Sequence, residues 1–68
     1  MNEERLNQSI RKFLKSVGVN SQRELEQAVA KAIEGGALAG DETLDVTMTL
    51  DVKALKLSSE FKGRIELE

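Results

Sequence analysis

The apolar residues of this chain change their period once, and the change falls on a pair of glycines. Before Gly35-Gly36 they recur every three or four positions. After it Leu44, Val46, Met48, Leu50 and Val52 recur every second one. A period near 3.6 marks a helix with one apolar stripe, and a period of two marks a strand with one apolar face. The chain therefore reads as a helical half followed by a sheet half, an α+β chain of ααββ order.

The first helix is expected over about residues 2–17. Leu6, Ile10, Phe13, Leu14 and Val17 share one helical face. Asn2 suits the cap, and Glu3 and Glu4 suit the positive end of the helix dipole. Gly18 stands where a left-handed residue would end the helix, with Val19 packing back after it. The second helix is expected over about residues 22–34. Ser21 and Glu24 have the spacing of a capping box, and Leu25, Ala28, Val29, Ala32 and Ile33 continue at helical intervals until Gly35-Gly36. So short a connection, Gly18–Asn20, makes the two helices neighbours in an αα-hairpin or corner.

Residues 37–43 form a connector with a turn signal at Gly40-Asp41, and Leu38 within it is an expected anchor. Strand one is expected over about residues 44–53 and strand two over about 59–67. Phe61, Gly63, Ile65 and Leu67 then point inward, while Glu60, Lys62, Arg64 and Glu66 point outward. Inward must face inward, which fixes the parity of the register. A pairing that sets Lys53 opposite Glu60 and Asp51 opposite Lys62 avoids like charges; one that sets Asp51 against Glu60 does not. The favoured hairpin has Leu55–Ser58 as its loop, with Leu55 and Leu57 unusually apolar for a tip.

Sixty-eight residues give one small domain. A chain of this size buries only about 60% of its unfolded surface, so its core is marginal. Without cysteine or histidine it has no disulfide, and no thiolate or imidazole to hold a structural zinc. Two strands make a ribbon about 10 Å wide, too narrow for two helices and open at both edges. These points lead to an expected homodimer, in which edge pairing or domain swapping supplies the missing cover. At 40% hydrophobic, 32% charged and net charge −2 the chain has the composition of a folding sequence. It lacks an apolar run long enough for a membrane and opens on a polar segment unlike a secretory signal, so a cytoplasmic location is expected.

The chemistry-bearing inventory is thin. The absence of His, Cys, Tyr and Trp removes the commonest general base and the thiol nucleophiles. No enzyme, cofactor or metal site is expected. Asp41-Glu42 reads as a turn, Asp45 and Asp51 as charges on the wet strand face, and Ser58-Ser59 as loop. Gly35-Gly36 ends a helix instead of opening one, the wrong geometry for a phosphate loop. Arg5, Arg11, Lys12 and Lys15, with Gln8, form a basic stripe opposite the apolar face. Its plainest role is a solvated helix face; the alternative is an anionic partner or nucleic acid. Helix, Gly-containing turn, helix and hairpin partly outline a winged helix-turn-helix. The would-be recognition helix is acidic, however, and the strands offer no outward aromatics. Nucleic acid is therefore not the expected partner. The expected interaction surface comprises Leu55, Leu57, Arg5, Arg11, Lys12 and Lys15.

Arg11-Lys12-Phe13-Leu14-Lys15, Val17-Gly18-Val19, Ser21-Gln22 and Gly40-Asp41-Glu42-Thr43-Leu44 form a distinctive set within the run from Arg11 to Leu44. With the closing Ile65-Glu66-Leu67-Glu68, they resemble a family of small bacterial proteins of unknown function, and the likeness extends over the whole chain. The resemblance implies an ααββ chain and a domain-swapped homodimer. It implies no activity, cofactor or catalytic residue.

Overall fold

The structure is a computed structural model that describes residues 1–68. Two compact units divide the chain, Met1–Ala37 and Leu38–Glu68.

The first unit is one α-helix, α1, running unbroken from Glu3 to Glu34. Asn2 caps it as expected, its Oδ1 accepting from the backbone N–H of Arg5 at 3.1 Å. Glu3 and Glu4 occupy the first turn, and Lys31 the last. The far end closes with a Schellman motif. Gly36 adopts φ 81°, its N–H donates to the Ile33 carbonyl at 3.1 Å, and the Ala37 N–H reaches the Ala32 carbonyl at 2.8 Å. Only glycine takes that φ without strain, so the double glycine stops the helix as its position suggests.

The αα-hairpin expected at Gly18 does not form. Residues 18–20 are helical, and Gly18 is not among the residues of positive φ. Ser21 lies inside the helix, where no free end exists for a capping box to satisfy. Asn20 turns its amide back along the helix and donates to Ser16 Oγ at 3.2 Å. A helical glycine costs about 1 kcal/mol against alanine, too little to break a helix whose flanks both propagate well. The apolar stripe also passes straight through the glycine. Leu6, Val17 and Ala28 are spaced eleven residues apart, as are Ile10, Ser21 and Ala32, and so are Leu14 and Leu25. Eleven residues make three turns, so these columns run nearly parallel to the axis.

The second unit is an antiparallel hairpin of β1, Thr43–Val52, and β2, Leu57–Glu66. The expected parity holds and the expected register does not. Thr47 faces Lys62, Asp45 faces Arg64 and Val52 faces Leu57, a shift of four from the pairing that charge favoured. This register also keeps like charges apart, so charge alone could not select between the two. The turn decides. Lys53–Leu55 form one turn of 3-10 helix, and Lys56 takes a left-handed conformation with φ 52°, its N–H closing on the Lys53 carbonyl at 3.0 Å. This four-residue turn lets Val52 and Leu57 close the ladder, so Leu57 and Ser58 belong to a strand and not to the loop.

One face of the hairpin carries Leu44, Val46, Met48, Leu50 and Val52 opposite Ile65, Gly63, Phe61, Ser59 and Leu57. The other carries Asp45, Thr47, Thr49 and Asp51 opposite Arg64, Lys62, Glu60 and Ser58. Ahead of β1, Glu42 ties the connector, and its own carbonyl accepts from the Leu67 N–H at 3.1 Å. Leu38 in that connector is half-buried.

Candidate interaction surfaces

No residue of the chain is buried. Within its own unit each apolar face is left uncovered. On α1 the stripe is widest and bulkiest in the N-terminal half, where Phe13 is 58% and Leu14 54% exposed. Its C-terminal half is built from smaller side chains, Ser21, Ala28, Val29 and Ala32, with Leu25 and Ile33 among them. On the hairpin, Met48 and Phe61 form the most open part of the face, and Gly63 leaves a gap in it. A shallow open depression is bordered by Asp45, Val46, Thr47, Lys62, Gly63 and Arg64, four of which belong to the polar face.

The expected site residues fall into three places. Leu55 lies on the 3-10 turn at the hairpin tip, 70% exposed. Leu57 is part of the apolar strand face, beside Val52. Arg5 and Lys12 lie on the side of α1 away from the stripe and Arg11 and Lys15 along its flank, all exposed and none in an ion pair. Nothing within either unit joins these groups into one site. Sequence reading missed how open Phe13 and Phe61 are: it assigned both to covered faces. Val19, 44% exposed, stands among the basic residues instead of packing behind a helix end.

Two polar features complete the surface. Arg64 Nε lies 3.5 Å from Asp45 Oδ1 across the outer strand face, with both side chains largely solvated. A pair so exposed contributes little. Glu42 is bound more closely. Its two carboxylate oxygens accept the backbone N–H groups of Ala39, at 2.8 Å, and Gly40, at 2.9 Å. Those bonds, Ala39 first and Gly40 second, hold the Glu42 carboxyl below its ordinary pKa. Gly40 at φ 108° provides the backbone shape that lets both N–H groups converge. Both carboxylate oxygens thus serve the turn.

A model of a family of unknown function, DUF6494, matches residues 1–68, the full chain. The chain belongs to that family. Among curated proteins and among solved structures none matches it. The family is one of small domains consistent with the resemblance read from the motifs, and it assigns no chemistry to any residue. No helix is long and apolar enough to cross a membrane.

Proposed function

We propose that the protein is a non-enzymatic interaction or structural module that works as a homodimer. The observation that carries this reading is that neither unit has a core of its own: no residue of the helix or of the hairpin is buried. The apolar stripe of α1, the Met48–Phe61 face and the two strand edges all await cover. Edge-to-edge pairing of hairpins, or exchange of helices between copies, would use all three. A bacterial cytoplasmic setting goes with this reading, in keeping with the lack of cysteine. Sedimentation equilibrium is the test. A species of twice the chain mass is expected at micromolar concentration, and a compact single copy at several hundred micromolar overturns the proposal.

A second reading rests on a separate observation. Arg5, Arg11, Lys12 and Lys15 are exposed and unpaired on one side of α1, which suits an anionic partner. The continuity of the helix weakens its nucleic-acid form, since no turn separates a recognition helix from a supporting one. Titration of labelled duplex DNA and RNA at low salt tests it. Binding that R11A/K12A reduces supports this reading, and absence of binding removes its nucleic-acid form.

A further inference from the structure

The helix stripe has a direction built into it, and that direction selects one way for two copies to meet. Bulky residues occupy its N-terminal half, Leu6, Ile10, Phe13 and Leu14, while Ser21, Ala28 and Ala32 thin out its C-terminal half. Side by side in parallel, two such helices would crowd at one end and leave voids at the other. Head to tail, the half of one helix that carries Phe13 and Leu14 lies against the half of the other that carries Ala28 and Ala32, which evens the volume along the seam. Gly18 and Ser21 then fall near the two-fold axis, where small side chains permit close approach of the backbones.

Charge points the same way. Along one flank of the stripe run Glu4, Arg11, Lys15 and Glu26. In an antiparallel helix pair this flank faces its own copy, so the basic part of one meets the acidic part of the other. In a parallel pair it would face the opposite flank, whose charged residues are Glu24 and Lys31, and Glu24 lies at least nine residues, about 13 Å, along the axis from Arg11 and Lys15. Arg11 and Lys15 would then stand without a partner.

Resting on the homodimer reading, we infer that the partner of the α1 stripe is the α1 stripe of a second copy, running antiparallel. Charge fixes the register as well. Leu6 lies level with the partner's Ile33, Ile10 with the partner's Val29, and Leu14 with the partner's Leu25. In that register the partner's Glu26 sits between Arg11 and Lys15. The helix is 32 residues long, so the shared seam extends over about 45 Å.

The absence of cysteine permits clean site-directed spin labelling of the intact protein. Gln8 and Gln27 lie off the stripe and are exposed, so Q8C and Q27C leave the seam untouched. Dipolar spectroscopy on each labelled variant reads the distance between the two copies. The inferred register expects about 36 Å for position 8 and about 24 Å for position 27, from the helical rise and an interaxial distance near 9 Å. Short, similar distances at both positions would mean parallel helices and overturn the inference while leaving the dimer intact. A dimer whose two distances fit neither pattern overturns it too, because its helices are then not paired along the stripe. A monomeric mass with no dipolar coupling removes the dimer reading itself.

Discussion

Met48 and Phe61 stand directly opposite each other at the middle of the β1–β2 ladder, and they are 43% and 60% exposed. Cross-strand pairs of this kind usually anchor the inner face of a sheet. Here they are the most open part of it. Under the proposed self-association this pair is covered by the second copy. Truncating Phe61 then removes about 2 kcal/mol of apolar burial from each chain. F61A is expected to raise the dimer dissociation constant roughly a thousandfold, since the loss counts twice. Sedimentation equilibrium on F61A measures it, and an unchanged constant would place Phe61 outside the interface.

Gly18 offers a test of the helix itself, read on separate chains at dilutions below the dimer dissociation constant. A Cβ added there meets nothing within 4 Å, and the backbone is helical. G18A should therefore stabilise α1 by about 0.5–1 kcal/mol, because alanine loses less conformational entropy. Circular dichroism should show higher helicity and a raised melting temperature. A left-handed Gly18 ending a first helix would give the opposite sign, since alanine is strained there.

What the sequence disclosed depended on how local each signal was. The Asn2 cap, the stop at Gly35-Gly36 and the alternation of β1 each depend on a few neighbouring residues, and each appears where expected. The Gly18 break looked equally local but was not. Glycine at 18 and serine at 21 permit a helix end without requiring one, and no proline enforces it. The better signal was the phase of the stripe, which runs from Val17 through Ser21 to Leu25 without a jump. The hairpin register failed for a similar reason. Charge excluded one pairing and left two others equal, and the choice fell to Lys56, a lysine in a conformation that favours glycine or asparagine. Of the candidate surface, the exposure of Leu55 was legible. The strand position of Leu57 depended on the register and was lost with it.

Lys56 is accordingly the place where the hairpin is strained. A non-glycine residue in the left-handed region costs about 1–2 kcal/mol, part of which glycine gives back as entropy of the unfolded chain. K56G is expected to stabilise the hairpin by roughly 0.5–1 kcal/mol, read as a higher urea midpoint with the same slope. A wider loop with Lys56 in extended backbone would show no gain or a loss.

The Glu42 clasp gives the connector a pH dependence whose sign follows from its hydrogen bonds. The Ala39 and Gly40 N–H groups favour the charged carboxylate, so the folded pKa lies below the ordinary value of 4.5. The unfolded chain then takes up its proton first as pH falls. The stabilisation is fully present above the ordinary carboxylate pKa, and it is lost as pH drops through the lowered folded value. Near neutral pH the clasp is closed. The amide proton resonances of Ala39 and Gly40 should titrate together in the acid range, with a common midpoint under 4.5. E42Q should abolish that shared titration and speed hydrogen exchange at both amides, because a neutral amide oxygen accepts more weakly than a carboxylate. A midpoint at or above the ordinary value, or unequal titrations at the two amides, would show that the carboxylate does not bind the two N–H groups as a pair.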